Sequence, residues 1–241
     1  LRITSTSPES VSQIMGPISI NALPNVFNII GDGFYCSGEN GALIELDSSE
    51  ENTFYQLKRD TIKVDTAIKG KGGKITFGKF KDEGIYTIEA TSITGCIKMM
   101  NGTVIVKAIQ RPAQFKIKSG NNIYDKSIDT SYCADGIGIE IGLNESEQNI
   151  KYILKLNGNE EISIMDGTGS DLNFGYFKNE GKYTIEAITY EGSCTTTMFG
   201  SIKIKRIELP TKYNIKGLDY FCTGSDGSEL KLSDSKTGVL Y

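Results

Sequence analysis

Histidine and tryptophan are both missing from the 241 residues, and the absence of histidine alone removes several function classes. Without imidazole there is no Ser-His-Asp or Cys-His triad, no histidine-ligated metal site and no side chain that ordinarily titrates near neutrality. Long apolar runs are missing too. None approaches the ~20 residues a helix needs to span a bilayer, and the residues from Leu1 onward carry no basic stretch ahead of an apolar one, as a signal peptide would. Basic charge is not in excess: 30 Asp and Glu outnumber 26 Lys and Arg, which leaves no electrostatic footprint for nucleic acid. An initiating Met is also lacking, so the sequence reads as a piece of a longer protein. Hydrophobic residues make up 38% of the chain, enough to build cores over a length that suits one large domain or two ordinary ones.

What is present repeats at long period, the signature of a tandem architecture. Tyr35-Cys36, Tyr132-Cys133 and Phe221-Cys222 anchor a gapless match. Ile44 and Leu46 fall on Ile141 and Leu143 and on Leu230 and Leu232, while Tyr55 falls on Tyr152 and Tyr241. Two copies continue, with Phe77-Gly78 on Phe174-Gly175 and the run from Gly84 to Ala90 on that from Gly181 to Ala187. Pro24, Pro112 and Pro210 each open a Pro-x-x-aromatic-x-Ile pattern at a joint. The expected parse is the closing strands of one repeat (1–22), two complete repeats (23–109 and 110–208) and the opening strands of a fourth (209–241). Neither end fragment covers its own apolar face, so the natural chain is expected to continue both ways.

Within a repeat the apolar period is two: Tyr86, Ile88 and Ala90 alternate with Thr87 and Glu89, and Tyr183, Ile185 and Ala187 with Thr184 and Glu186. Short strands are separated by Gly, Asn, Asp and Ser clusters, and no useful stripe of period 3.6 occurs. The expected fold is therefore all-β, as tandem immunoglobulin-like β-sandwiches. The stretch from Asp82 to Ile88, echoed from Asn179 to Ile185, has the form of a tyrosine corner, with Tyr86 and Tyr183 as its buried phenols. Ile88 and Ile185 stand where an antibody domain carries its second core cysteine, and Tyr55 and Tyr152 roughly where it carries its core tryptophan.

Five cysteines occur. Equal spacing within each copy favours disulfides Cys36–Cys96 and Cys133–Cys194, with Cys222 bonded to a residue beyond the chain, in an oxidising compartment. The rival pairing joins Cys36 to Cys194 across neighbouring repeats, because the strand-opening and turn cysteines normally lie at opposite ends of a sandwich. Buried free thiols are a further reading, and no CxxC motif supports a metal site.

Other candidates have plainer explanations. Asp166-Gly-Thr-Gly-Ser-Asp171 is rich in oxygen ligands, but the matching Lys69-Gly-Lys-Gly-Gly-Lys74 is basic, so a turn is read rather than a calcium loop. Glu45, Glu140, Glu89 and Glu186 recur on outward strand positions and are read as solvated surface. Met100 and Met198, each followed at two residues by glycine, read as core fillers beside a bulge, and Met15-Gly16 repeats the theme. No cofactor and no catalytic residue is expected.

The pattern of Tyr-Cys, Ile-x-Leu, Phe-Gly, Gly-x-Tyr-Thr-Ile-x-Ala, a Gly-Cys or Ser-Cys turn and a closing Val- or Ile-rich strand resembles repeats of very large Bacteroidota cell-surface proteins, including gliding-motility adhesins exported by the type IX secretion system. That resemblance implies an extracellular, non-enzymatic filament whose partners are its own neighbouring repeats and surface polysaccharide, the substratum or other surface proteins. It also implies O-glycosylation at Thr61 and Thr66, in Asp60-Thr61-Ile62 and Asp65-Thr66-Ala67. Short joints around Pro112 and Pro210 lead us to expect an extended rod with little freedom between repeats. The alternatives are a carbohydrate- or protein-binding module, for which only scattered Tyr124, Tyr176 and Tyr190 are on offer, and a repeat region appended to a surface enzyme.

Overall fold

The computed structural model of the chain describes residues 20–217, 219–224 and 226–241, and among these every regular element is a β-strand. Of the expected closing strands over 1–22, residues 1–19 lie outside the described residues, and Met15 and Gly16 with them. The chain divides into two compact units between Ile109 and Gln110.

The first unit is a two-sheet sandwich. One sheet has the order β1 (Ile29–Gly31), β3 (Ala42–Leu46), β7 (Ile75–Phe80). The other runs β2 (Phe34–Cys36), β10 (Val104–Ile109), β8 (Gly84–Ser92), β4 (Thr53–Arg59), β5 (Ile62–Lys63), with β6 (Ile68–Lys69) also on β4 and β9 (Ile97–Met99) on β8. The period-two pattern positions the core: Tyr86, Ile88 and Ala90 of β8 and Tyr55 and Leu57 of β4 face Ile44 and Leu46 of β3, all at most 1% exposed. Fully burying side chains of this size contributes about 1.5–3 kcal/mol each. The alternate positions face water, and there Lys58, opposite Thr87, and Glu89, opposite Gln56, lie diagonally across the paired strands and form an ion pair of 2.6 Å.

The second unit repeats the plan. Its sheets are β12 (Asn122–Tyr124), β11 (Ile117–Ser119), β14 (Ile139–Leu143), β17 (Leu172–Phe177), and β13 (Ser127–Cys133), β20 (Ser201–Ile207), β18 (Gly181–Thr189), β15 (Ile150–Leu156), β16 (Glu160–Asp166), with β19 (Thr195–Thr197) on β18. The recurrent Phe-Gly has a structural reason. Gly78 and Gly175 sit opposite Ile44 and Ile141 where the register shifts, at φ 116° and 102°, so glycine supplies the backbone of a bulge in both copies. Beyond residue 208, β21 (Ile215–Lys216) pairs with β22 (Lys231–Leu232). Its Ile215↔Leu232 register matches Ile29↔Leu46 and Ile117↔Leu143.

One assignment differs from the sequence expectation. Cys36 and Cys133 do not open the strand that carries Ile44 or Ile141; they close β2 and β13, which pair in parallel with the last strand of their own unit, Cys36 opposite Ile109 and Cys133 opposite Ile207. The parallel pairings of β2 with β10 and of β13 with β20 join residues far apart in sequence, and the local apolar pattern carries no mark of them.

Candidate functional site at the ends of the sandwiches

Each unit is pinned at one corner by a tyrosine. Tyr86 and Tyr183 are each 1% exposed, and their hydroxyls donate to the carbonyls of Asp82 at 2.9 Å and Asn179 at 3.0 Å. Phe80 and Phe177 pack against these rings at 5.4 Å between centroids. Burial pushes both phenols above their ordinary pKa.

The end at which the chain comes in is built around a second tyrosine. The hydroxyls of Tyr55 and Tyr152, fully buried, accept from the amides of Glu50 and Glu147 at 2.9 Å in both copies. The same glutamates reach back to the incoming segment. The Glu50 carboxylate accepts from the amide of Asn25, next to Pro24, and the Glu147 carboxylate from that of Ala113, next to Pro112, at 2.9 and 2.8 Å. Pro24 and Pro112 are buried. Arg111 and Gln114 donate to the carbonyls of Thr195 and Thr197, and the amides of Phe27 and Phe115 donate to the thioethers of Met100 and Met198. The Pro-x-x-aromatic segment is thus docked onto the unit that follows it. Pro210, by contrast, is exposed. Glu50 and Glu147 were missed in the sequence, although they stand at equal distances beyond Cys36 and Cys133. Gly70 and Gly167 belong to this end as well: a Cβ there would lie 2.1 and 1.8 Å from the carbonyl oxygens of Glu50 and Glu147.

The expected disulfides Cys36–Cys96 and Cys133–Cys194 are corrected by the structure. Cys36 and Cys194 are in the disulfide form, whereas Cys96 and Cys133 are thiols. The reason is distance within a unit. Cys36 faces Ile109, which lies past Val106 and its partner Gly84, at the start of β8. Cys96 precedes Ile97, which faces Thr91 at the far end of the same strand. At ~3.3 Å per residue this puts roughly 30 Å between the two cysteines, against a Cα separation of at most ~7 Å in a disulfide. Cys133 opposite Ile207 and Cys194 ahead of Thr195 stand at opposite ends of the second unit in the same way. Cys222 is exposed.

The remaining candidates are dispersed. Asp60 and Thr61 form the tight turn from β4 to β5, with Thr61 and Thr66 both exposed. The carboxylate of Asp60 accepts from the amide of Ile85 at 2.9 Å. Several oxygens of the 166–171 turn are engaged within the unit: Ser146 donates to the Ser170 carbonyl at 2.6 Å, Asp171 pairs with Lys118, and Asp166 accepts from Tyr190. Lys118 holds the Asp171 carboxyl below its ordinary pKa. Among the described residues no cluster of three or more Cys, Asp or Glu side chains suits a metal ion. Glu45 binds Lys74 and Thr76, and Glu186 pairs with Lys155. Tyr124 packs on the core, while Tyr176 on β17 and Tyr190 beyond β18 are 54% and 57% exposed on different sheets. No helix of the described residues is long and apolar enough to cross a membrane.

No protein-family model matches the sequence, and no curated protein does. Among solved structures the chain is similar to the fibronectin(III)-like modules of Clostridium thermocellum CbhA, at 10% identity over 74% of this chain and 95% of that one, with a TM-score of 0.41. It is similar also to a 3Ig structure of titin, at 14% identity over 89% and 77% of the two chains, TM-score 0.35. A Ca2+-stabilised adhesin with which an Antarctic bacterium binds ice matches at 9% identity over 80% of this chain and 52% of that one, TM-score 0.33.

Proposed function

We propose that the chain is a structural and adhesive segment of a long bacterial cell-surface filament, of the type IX-secreted Bacteroidota kind, serving attachment or gliding. The observation that carries this reading is the placement of each unit's two chain connections. The incoming segment docks beside Glu50 or Glu147, and the last strand leaves beside Cys36 or Cys133, at the other end of the same sandwich. A unit wired this way transmits tension along its length. The scattered exposed tyrosines favour a spacer over a carbohydrate- or protein-binding module. Thr61 and Thr66, both exposed, suit O-glycans, and peptide masses from the native surface protein would lack the added hexoses if that part is wrong.

Small-angle scattering on the chain tests the reading. Extended repeats add about 35–45 Å of length each, from strands rising ~3.3 Å per residue plus turns. A compact, folded-back particle, or a broad spread of inter-unit angles, overturns the rod.

A further inference from the structure

We propose that Asn40-Gly41, at the turn from β2 into β3, is a self-modification site of the first unit: the folded chain converts Asn40 to aspartate and isoaspartate there and spares its two other Asn-Gly pairs. The inference is independent of the filament reading. The sequence offers three such pairs, Asn40-Gly41, Asn101-Gly102 and Asn157-Gly158. In each, the missing side chain of glycine leaves its amide nitrogen unshielded for attack on the asparagine side chain. Structure separates them. Asn157 is tied twice to Lys182, its amide donating to that residue's carbonyl at 2.8 Å and its side-chain oxygen accepting from that residue's amide at 3.0 Å. Asn101 donates from its amide to the Phe27 carbonyl at 2.8 Å and from its side chain to Asn28 at 2.7 Å. Asn40 is exposed, and its side chain has no hydrogen-bond partner among the described residues.

The place in the fold explains why the glycine is there and what the change does. Glu39 closes the turn, its amide donating to the Cys36 carbonyl at 2.9 Å, and Asn40 follows it. Gly41 then passes so close to β7 that a Cβ would lie 2.4 Å from the Phe80 carbonyl, and at the matching Gly138 one would lie 2.5 Å from that of Phe177. Packing therefore demands glycine in both units. It makes no such demand on the residue before, which is Ile137 in the second. The Gly41 nitrogen gives up its proton and attacks Cγ of Asn40, and the side-chain nitrogen leaves with that proton as ammonia, which closes a succinimide ring. Water opens the ring at either carbonyl, giving aspartate or isoaspartate. Both products carry a new negative charge, but isoaspartate also routes the main chain through Cβ and Cγ and lengthens it by a methylene. The added length falls directly ahead of Ala42, which pairs with Phe80 at the start of β3. The pairing of β3 with β7 is loosened at that end.

The test incubates the whole chain in mildly alkaline buffer, folded and in guanidinium chloride, and follows the amide-to-acid mass shift by fragmentation after reduction and trypsin. Asn40, Asn101 and Asn157 fall in different tryptic peptides, 3–58, 99–107 and 156–178. In the folded chain Asn40 should convert at least roughly tenfold faster than the other two, each of which must first break its hydrogen bonds. In denaturant the three rates should converge. Incubation of the folded chain should also lower the melting temperature of the first unit and leave that of the second. Asn40→Gln, whose longer side chain closes a ring far more slowly, should keep its melting temperature through the same incubation. Equal rates in the folded chain, an Asn40 lead that persists in denaturant, or an equal loss of melting temperature in Asn40→Gln overturns the proposal.

Discussion

Asp47 shows how one atom separates two otherwise matching repeats. Its carboxylate accepts from the backbone and side-chain nitrogens of Asn28 at 2.9 and 2.8 Å, fastening the first strand to the next. In the second unit Asn144 does the same for the amide of Lys116 at 2.7 Å, with a neutral oxygen. Hydrogen bonding to Asn28, ahead of the opposing cost of desolvation, lowers the Asp47 pKa. A carboxyl depressed in the folded state contributes stability above its unfolded pKa and loses it as pH falls through the folded one, which means below about pH 4. We expect Asp47→Asn to flatten the acid dependence of the first unit's melting temperature between pH 5 and pH 3 and leave that of the second unchanged. Melting curves with the same acid slope in both proteins would show that Asp47 does not contribute.

At the scale of elements, the β4–β5 hairpin holds a local conflict. Asn157 and Gly158 connect β15 to β16 with φ of 52° and 82°, the geometry for which Asn-Gly is the preferred pair. Their counterparts, Asp60 and Thr61, have φ of 55° and 156°. A β-branched residue at positive φ is strained, at ~1–3 kcal/mol, and glycine there restores the ordinary turn at some cost in chain entropy. Thr61→Gly is expected to stabilise the first unit by about 1 kcal/mol net, which raises its midpoint by several degrees. A calorimetric scan in which the midpoint stays or falls removes the strain argument.

At the scale of the whole molecule, the two cores share no residue, so each unit should answer for its own packing. Leu57, 1% exposed, two residues along β4 from Tyr55 and opposite Ile88 on β8, is a suitable probe. Leu57→Ala should cost the first unit ~2–5 kcal/mol. Under reducing conditions, hydrogen exchange read peptide by peptide should show faster opening over residues 23–109 and unchanged protection in the second core. Equal loss of protection in both would mean that they unfold as one.

The repeats, the strands and the core faces were legible in the sequence because period-two alternation is a local property. Tyr86 next to Thr87, or Ile44 before Glu45, states which side chain turns inward without reference to any distant residue. The gapless match between copies carried the boundary near residue 110 in the same way, and it held the signal for Glu50 and Glu147 as well. The cysteines were another matter. Their spacing repeats, yet spacing says nothing about which end of a sandwich a residue reaches. That was decided by the parallel pairing of β2 with β10 and by the length of β8, which together put Cys36 and Cys96 a full strand apart. Alternation along a strand fixes its face, whereas the end at which it stops depends on partners distant in the chain, and those are chosen only when the two sheets close on a common core.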